Sequence, residues 1–401
     1  MDTTIPITES IFWIGVNDRQ THLFESIWPL PRGVSYNSYL IKDEKTALID
    51  TVKHSSSTNF MDKIKIVLPN DKPIDYLIIN HMEPDHSGSI TLLRKLYPNI
   101  RIIGNKKTLE YLNDFYGITE NVQTIDDGDT LSLGKHKLQF FITPMVHWPE
   151  TMMTFDHTDK ILFSGDAFGG FGTLDTGIFD DEVDVSYFDD EILRYFSNIV
   201  GKYSAMVQKA IAKLKDLPIG IIAATHGPIW RKDPGHIITL YDKWSRNEPE
   251  KGIVIVYASM YGNTEKMMEA IARGIGTEYE KCLRIHNIST THLSYIIRDI
   301  WRYRGLILGA PTYNMKLFPP MNSLTTMLEN KLLKNRVIGL FGTFTWSGGA
   351  VSTLSEFAQK VKWPLVEPVI EAKCSPDAEN IEQCVLLGKN MARIINDTVI
   401  S

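Results

Sequence analysis

Hydrophobic and polar positions follow two different patterns in the two parts of the chain. In the first 250 residues, apolar runs at 11–15, 36–41 and 46–49 are separated by turns rich in Gly, Asn and Asp, which predicts β-strands. This part predicts an α/β sandwich, two sheets packed face to face with helices outside. The further strands predicted here are 76–79, 100–103, 137–142, 152–155 and 161–163, and the helices are 59–68, 90–97, 107–115 and 191–215.

From residue 251 onward, strands alternate regularly with helices. The predicted strands are 253–257, 282–286, 305–308, 337–341 and 365–370, and the predicted helices are 265–275, 292–302, 321–329, 351–360 and 381–395. About 150 residues of such alternation predict a doubly wound parallel sheet. The polar segment 247–252 separates the two patterns, so we expect domains 1–250 and 251–401.

Composition excludes several classes of protein. A length of 401 residues favours two domains, and contents of 43% hydrophobic and 22% charged residues are typical of a globular protein. Its net charge of −6 argues against nucleic acid or an anionic membrane as the main partner, and no apolar run approaches the ~18 residues that span a membrane. The N-terminus shows no secretory signal, and the three cysteines form no C-x-x-C pair. These features predict a cytoplasmic protein without a thiolate metal cluster.

Four side chains of metal-binding type are bunched within six residues after a predicted buried strand. His81 and Glu83 are two residues apart, so in extended chain they point the same way. Pro84 prevents a simple continuation of the strand, and Asp85 and His86 follow the turn. A strand end of this kind can serve two metal ions. Two imidazoles and two carboxylates without a thiolate favour iron, manganese or zinc over copper(I) or an iron–sulfur cluster.

Three later residues share one local pattern, an apolar strand followed by a polar side chain with Gly or Pro beside it. His147 lies between two prolines, Asp166 follows a glycine, and His226 precedes one. Loops at strand ends are common positions for functional sites. With the first four residues they supply four histidines and three carboxylates, enough for two metal ions with a bridging aspartate. We expect the acid-rich stretch at 180–190 to be a solvated loop.

The segment after the first strand of the second domain has the properties of a phosphate-binding loop. Hydroxyl groups, a glycine and backbone N–H groups at a helix N-terminus form a cradle for phosphate. Because the loop has no Lys or Arg and no Walker or dinucleotide motif, it favours a phosphomonoester over a triphosphate. Its residues are Ser259, Met260, Tyr261, Gly262, Asn263 and Thr264.

Two further loops at predicted strand ends place aromatic side chains beside small residues with an accessible backbone. Aromatic walls with a few backbone donors suit a planar ring such as isoalloxazine. The first loop contributes Pro311, Thr312, Tyr313 and Asn314, and the second contributes Thr343, Phe344, Trp346, Gly348 and Gly349.

The chain resembles the flavodiiron proteins, also called A-type flavoproteins. The resemblance is carried by the H-x-E-x-D-H run from His81 to His86 and by the loop at 259–264, and it covers essentially the whole chain. Hydrolases of the same superfamily usually have H-x-H-x-D-H, so Glu83 replaces a neutral ligand by an anion, which favours iron. The resemblance implies a metallo-β-lactamase-like αββα domain followed by a flavodoxin-like domain.

The resemblance also implies a role for each candidate residue. One iron would be held by His81, Glu83 and His147 and the other by Asp85, His86 and His226, with Asp166 and an oxo or hydroxo group bridging them. The loops of the second domain would bind FMN. His22 and Tyr195 would lie close to the substrate pocket and assist catalysis.

The implied function is the reduction of O₂ to water by four electrons, of NO to N₂O, or of both. Since the sequence ends after the flavodoxin-like part, we expect a separate electron donor such as rubredoxin, a reduced deazaflavin or another flavoprotein. The resemblance also implies a head-to-tail homodimer or a dimer of dimers, in which the flavin of one subunit faces the irons of the other.

Two other interpretations fit the sequence less well. A two-zinc hydrolase with a flavodoxin-like appendage is compatible with the fold, but Glu83 and the flavin loop oppose it. A non-catalytic electron carrier would not need seven intact metal ligands. O₂ and NO stay open as substrates, because both gases would use the same ligands.

Overall fold

Two β-sheets form the framework of the first part of the chain. The computed structural model describes residues 4–69, 72–278 and 282–397, and its contacts divide the chain into the compact units Met1–Asp242 and Lys243–Ser401. The strands of the first unit are β1 (Ile5–Pro6), β2 (Ile11–Trp13), β3 (Val16–Asp18), β4 (Leu23–Phe24), β5 (Trp28–Pro29), β6 (Val34–Tyr36), β7 (Tyr39–Ile41), β8 (Ala47–Ile49), β9 (Tyr76–Ile78), β10 (Arg101–Gly104), β11 (Val122–Thr124), β12 (Thr130–Ser132), β13 (Lys137–Ile142), β14 (Met152–Asp156), β15 (Ile161–Gly165) and β16 (Ile221–Ala224).

The two sheets pack face to face. Over the described ranges, the first sheet has the order β1-β2-β7-β8-β9-β10-β11 and the second has the order β12-β13-β14-β15-β16. Tyr39 of β7 contacts Phe163 of β15, with ring centroids 5.2 Å apart. Strands β8 to β11 run parallel, as do β15 and β16, so the polar residues that follow them collect at one edge of each sheet. The predicted α/β sandwich is confirmed.

The longer helices of this part each bury one apolar face, which is typical of helices packed against a sheet. The helices are α1 (Ser57–Val67), α2 (Pro84–Ser87), α3 (Ile90–Leu96), α4 (Lys106–Tyr116), α5 (Val185–Tyr195), α6 (Ser204–Leu214) and α7 (Pro234–Ser245), with single turns of 3₁₀-helix at His54–Ser56 and Gly201–Tyr203 and of π-helix at Phe196–Val200. Where the chain is described, no helix is both long enough and apolar enough to cross a bilayer.

The acid-rich stretch at 180–190 differs from the expected solvated loop. Asp184 caps α5 by accepting hydrogen bonds from the amides of Ser186 and Tyr187, so this helix begins at Val185 and not near residue 191. Asp180 is buried and accepts hydrogen bonds from three consecutive backbone amides at 231–233. The single helix predicted at 191–215 is also wrong, because the π and 3₁₀ turns separate α5 from α6.

The second unit contains a doubly wound sheet in the order β18-β17-β19-β21-β22, whose neighbouring strands run parallel. This is the 2-1-3-4-5 order of flavodoxin-like folds, which bind ligands beyond the carboxyl ends of the strands. The predicted fold class is therefore confirmed. The elements are β17 (Glu250–Tyr257), α8 (Asn263–Gly276), β18 (Leu283–Asn287), α9 (Leu293–Arg302), β19 (Tyr303–Tyr313), β20 (Lys316–Leu317), α10 (Pro319–Lys331), β21 (Val337–Phe344), α11 (Ala350–Val361), β22 (Ile370–Lys373) and α12 (Ala378–Asp397).

The strand predicted at 365–370 is wrong. Leu365 makes only an isolated bridge with Ile338, and β22 begins at Ile370. Pro364 precedes this segment and Pro368 lies within it, and a proline cannot donate to a strand ladder. The apolar run therefore packs as irregular chain before the strand starts.

Candidate metal centre and flavin site

The first four candidate ligands lie just beyond the end of β9. The strand runs to Ile78, and the chain then leads through His81 and Glu83 into α2. Pro84 occupies the first turn of this short helix, where its missing N–H costs no hydrogen bond. Asp85 and His86 are thereby turned out of the strand direction. The chain therefore changes direction at Pro84, as predicted from the sequence.

The other three candidate ligands are brought to the same place by the second sheet. Asp166 follows β15 and His226 follows β16, and these parallel neighbours end side by side. His147 lies in the loop between β13 and β14. All three side chains are at least 95% buried, with exposures of 5% or less.

The seven residues form two groups of potential metal ligands. His81, Glu83, His147 and Asp166 make up the first, and Asp85, His86 and His226 make up the second, with the ligand atoms of each group within 4.8 Å of one another. This is the division that the sequence resemblance implies, although the role of each residue as a ligand stays a proposal.

Asp166 lies between the two groups. Its Oδ2 is 3.0 Å from Nε2 of His147 and 3.6 Å from Nε2 of His81. Its Oδ1 is 3.0 Å from Nε2 of His86 and 3.6 Å from Nε2 of His226. One carboxylate oxygen thus faces each group, which is the geometry that a bridging ligand requires.

Two hydroxyl groups hold this carboxylate in place. Thr225 Oγ1 donates to Oδ1 of Asp166 at 2.5 Å, and Tyr195 OH donates to Oδ2 at 2.9 Å. Tyr195 is fully buried, and burial together with the charge of Asp166 raises its pKa well above the ordinary value. The phenol therefore stays protonated and acts as a donor at any physiological pH.

The chemistry of the donor set fits a metal pair. Neither oxygen of Asp85 accepts a hydrogen bond from any residue that the structure describes, although both atoms are buried. Oδ2 lies 3.3 Å from Nε2 of His86 and 3.4 Å from Nε2 of His226, which are ion-pair distances. Buried carboxylate oxygens without hydrogen bonds are costly unless a cation lies beside them. Nitrogen and oxygen donors without sulfur suit iron, manganese or zinc.

The carboxylates change the protonation of the histidines when no metal is bound. Although burial lowers it, the charges of Asp85 and Asp166 raise the pKa of His86 to about 9. Burial likewise opposes the charged form of His147, but hydrogen bonds with Asp166 and Glu83 raise its pKa to about 9. A metal ion must therefore displace protons at neutral pH, and the metal replaces their charge.

A cavity of about 830 Å³ opens onto this centre. Glu83 and Asp85 line this cavity together with Phe24, Tyr36 and Lys53. The ring of Phe24 also packs against His226, with centroids 5.5 Å apart. The cavity is large enough to admit small molecules from solvent to the ligands.

The two residues predicted to assist catalysis occupy different places. Tyr195 contacts Asp166 directly, as described above. His22 is an exposed residue next to β4, its carbonyl accepts a hydrogen bond from the amide of Leu30, and it is not among the residues that line the cavity. The structure brings Tyr195 to the centre but not His22, and a catalytic role for either stays a prediction.

In the second unit, the loop after β17 has the geometry of an anion cradle. Gly262 caps α8 with φ of +84°, a conformation that favours glycine. Ser259 Oγ accepts hydrogen bonds from the amides of Gly262 (3.1 Å) and Glu265 (3.4 Å), so the loop is folded around the helix N-terminus. Asn263 opens α8, while Met260 and Tyr261 project from the loop with exposures of 41% and 88%. A phosphate group fits this N-terminus.

The two aromatic loops are connected to the cradle and to each other. Thr264 and Thr343 share a hydrogen bond between their hydroxyl groups at 2.9 Å, and Thr312 Oγ1 accepts from the amide of Ala350 at 3.1 Å. Trp346 is 80% exposed and Tyr313 is 44% exposed. Exposed rings beside a phosphate cradle at the carboxyl end of the sheet fit a flavin.

The remaining predicted flavin residues lie along the same edge. Pro311 to Tyr313 continue β19, so this segment is strand and not loop. Asn314 and Met315 both have positive φ and form the two-residue turn that joins β19 to β20. Phe344 ends β21, Gly348 lies beside the carboxylate of Glu371, and Gly349 caps α11.

Comparisons with known proteins agree with both halves of this description. The family model described as "ODP family beta lactamase" matches residues 34–227, and the flavodoxin model matches residues 255–388. The chain is 35% identical over 396 residues to the anaerobic nitric oxide reductase flavorubredoxin of Enterobacter sp. (strain 638), a match that covers 97% of this chain and 82% of the relative.

Two solved structures are similar over nearly the whole chain. Rubredoxin oxygen:oxidoreductase from Desulfovibrio gigas has a TM-score of 0.94 at 28% identity, with 98% of this chain and 99% of that chain covered. The flavodiiron protein from Giardia intestinalis has a TM-score of 0.92 at 29% identity, with 98% and 97% covered.

The fold and the two sites define a metal-binding flavoprotein oxidoreductase, in which a β-lactamase-like metal centre and a flavodoxin-like domain share one chain. The chain belongs to the flavodiiron proteins, whose cofactors are a diiron centre and FMN. The family predicted from the H-x-E-x-D-H run is confirmed.

Sequence reasoning missed several residues around the metal centre. Glu150 contacts His81, and Thr225 contacts Asp166. Asp50 accepts hydrogen bonds from the amides of Asn80 and His81, and burial raises its pKa to about 6. A usable signal existed for two of them, because Glu150 follows the Trp-Pro pair after His147 and Thr225 directly precedes His226.

Proposed function

We propose that this flavodiiron protein reduces O₂ to water, NO to N₂O, or both, at an iron pair supplied with electrons through FMN. The observation that carries the proposal is Asp166, which turns one carboxylate oxygen to each group of ligands. The names of its relatives support both gases, since one is a nitric oxide reductase and another an oxygen oxidoreductase.

In this proposal each group of side chains holds one iron. His81, Glu83 and His147 would hold the first ion and Asp85, His86 and His226 would hold the second, with Asp166 and an oxo or hydroxo group shared between the two. When bound, a diferrous pair would supply two electrons, which is enough to couple two NO to N₂O, and a reduced flavin would supply two more, which completes the four that O₂ needs. The three carboxylates offset three of the four charges of a diferrous pair. Their burial keeps the charged side chains in a single arrangement.

The residues around the ligands have distinct tasks. Tyr195 and Thr225 orient the bridging carboxylate through their hydroxyl groups. Phe24 and Tyr36 give the cavity apolar walls that suit an apolar gas. We propose that His22 assists from the exposed segment beside the cavity, as the family resemblance implies.

In the second part of the chain, we propose that FMN is held by three loops. Residues 259–264 bind the phosphate through backbone amides and hydroxyl groups, as the fold around the N-terminus of α8 supports. Residues 311–314 and 343–349 bind the ring, with Tyr313 and Trp346 as aromatic walls. The proposed domains are 1–250 for the irons and 251–401 for FMN.

The proposal extends to partners and location. The electrons come from a separate donor, either rubredoxin, a reduced deazaflavin or another flavoprotein, and the protein works in the cytoplasm. A head-to-tail homodimer or a dimer of dimers brings the flavin of one subunit to the irons of the other. Sedimentation analysis of the holoprotein tests this assembly, and a monomer that remains active would contradict it.

The experiment that tests the function is anaerobic stopped-flow mixing of the reduced, iron-loaded protein with O₂ and, separately, with NO. We expect at least one gas to reoxidise the flavin within the time of a catalytic turnover. No reoxidation by either gas would contradict the proposal. Two zinc ions per chain after native purification would instead favour the two-zinc hydrolase.

A further inference from the structure

Glu150 is a buried carboxylate beside the metal centre that belongs to neither group of ligands. Its side chain has no exposed surface. Its Oε1 is 2.7 Å from Nδ1 of His81 and accepts a hydrogen bond from the amide of Met82 at 3.0 Å. The backbone carbonyl of Glu150 accepts a further hydrogen bond from Asn105 Nδ2, at 2.5 Å. Oε1 therefore interacts with two donor groups, the backbone at Glu150 is fixed by Asn105, and Oε2 is buried without a hydrogen-bond partner among the described residues.

The contact with Glu150 determines which nitrogen of His81 can bind a metal ion. A carboxylate only accepts, so Nδ1 of His81 must carry the ring proton. The lone pair of the neutral imidazole is then on Nε2. That atom faces Glu83 Oε2 at 3.2 Å and Asp166 Oδ2 at 3.6 Å, inside the first group of ligands.

The histidines of the second group have different outer partners. Nδ1 of His226 is 2.8 Å from the backbone carbonyl of Ser35, which is a neutral acceptor. Nδ1 of His86 is buried and has no hydrogen-bond partner within the described parts of the chain. Among these three histidines, only His81 is supported by a hydrogen-bonded carboxylate. The two metal positions therefore differ in the electron density that their imidazoles can donate.

We propose that Glu150 is a positioning residue that fixes the tautomer and orientation of His81 and strengthens its binding to one of the two metal ions. The inference rests on the proposed function of the site as a diiron centre. Carboxylate partners of ligand histidines typically change metal affinity by roughly 10- to 100-fold. Because Glu150 contacts only His81 among the ligands, the effect falls on one of the two binding steps.

The test compares metal-free wild-type protein with the variants Glu150→Ala and Glu150→Gln in anaerobic Fe(II) titrations against a competing chelator. We expect Glu150→Ala to weaken one Fe(II) binding step by roughly 10- to 100-fold and to leave the other unchanged. Glu150→Gln should lose less, because its amide oxygen still accepts the proton of Nδ1 while its charge is gone.

A matched control is available in the same unit. Asp156 Oδ2 is 3.0 Å from Nδ1 of His136, a buried histidine–carboxylate pair outside the two groups at the metal centre. With Asp159 this pair forms a third group of potential ligands, so the variant also tests whether that group takes up Fe(II). Asp156→Asn removes the same kind of charge from the same kind of pair. We expect it to bind Fe(II) as the wild type does, even if its thermal unfolding temperature falls.

Each outcome of the titration decides the inference. Two unchanged binding steps in Glu150→Ala would overturn it, as would an equal loss of both steps in that variant and in Asp156→Asn. If Glu150→Ala does not fold, Glu150→Gln decides the question. The inference is overturned if this variant binds Fe(II) as the wild type does and if the NMR signal of the Nδ1 proton of His81 is also unchanged. A wild type that binds fewer than two Fe(II) ions would contradict the proposed function as well, which distinguishes the two failures.

Discussion

The candidate metal centre and the proposed flavin loops are built in opposite ways. The metal centre consists of side chains that are almost fully buried and converge from the ends of several strands of two sheets. The flavin loops consist of backbone amides, small residues and exposed aromatic rings along one edge of a single sheet. The difference follows from the ligands, because a small cation needs converging charged donors, whereas a flavin needs a flat wall and a phosphate cradle.

This contrast predicts that each site can be damaged without damage to the other. Buried charged ligands depend on one another, so that one loss affects the whole centre. Hydrogen bonds in exposed loops contribute separately and by smaller amounts. The following predictions test this separation.

The largest effect is expected for Asp166→Ala. The variant removes the carboxylate that faces both groups, so we expect iron content below one ion per chain and gas-driven flavin reoxidation slower by about 100-fold or more. FMN content should stay at the wild-type level. Metal analysis and stopped-flow kinetics check both points, and a variant that keeps two irons would refute the bridging role.

A nearly equal effect is expected for Glu83→His, which restores a neutral ligand at the second position of the run. Removing one negative charge should shift the metal content after native purification from iron towards zinc. Gas reduction should fall with the iron content. An unchanged ratio of iron to zinc would show that Glu83 does not select the metal.

For the flavin site, we expect Ser259→Ala to weaken FMN binding by roughly 5- to 10-fold. The side chain accepts two amide hydrogen bonds that shape the loop, and such a loss is worth about 1–1.5 kcal/mol. Fluorescence titration of the apoprotein with FMN measures the affinity. Iron content serves as the control, and a parallel loss of iron would contradict the independence of the two sites.

Metal uptake should depend on pH through the histidines. His86 and His147 have pKa values raised to about 9, so they carry protons at pH 7 when no metal is bound. Since a metal ion must displace these protons, apparent Fe(II) affinity should rise as the pH increases from about 7 towards 9 and then level off. A pH-stat should record proton release on Fe(II) addition at pH 7, and an absence of release would contradict the raised values.

The smallest effects are expected for Tyr195→Phe and His22→Ala. The first removes one hydrogen bond to Asp166, so we expect a loss of about 1 kcal/mol in stability and a reoxidation rate lower by a few fold. The exposed His22 should affect neither iron content nor stability. Equal rates for both variants and the wild type would remove Tyr195 from the proposed mechanism.

The sequence predicted most of the fold because its apolar runs are short and separated by clear turn residues. The predictions failed where local signals conflicted with neighbours in space. Pro368 interrupts an apolar run that otherwise resembles a strand. Asp184 caps the N-terminus of α5, so the helix begins within the acid-rich stretch. Neither effect is visible from periodicity alone.

The candidate ligands were recognisable because each follows an apolar strand, and strand ends meet in space. The residues that support the ligands were harder to recognise, since Glu150 and Thr225 are single polar residues whose one signal is that each lies within three residues of a candidate ligand histidine. Only the packing of the two sheets brings Glu150, which precedes β14, to His81, which follows β9 and is 69 residues away in sequence. For His22 the family resemblance implied a role but not a position, because a resemblance does not specify where an exposed loop residue lies.

The most direct test of the central claim is anomalous X-ray diffraction of the iron-loaded protein at the iron absorption edge. We predict two iron peaks, one within bonding distance of Oδ1 of Asp166 and the other within bonding distance of Oδ2. A single peak, or two metals with both oxygens of Asp166 on the same ion, would contradict the account of this carboxylate as the bridge between two irons.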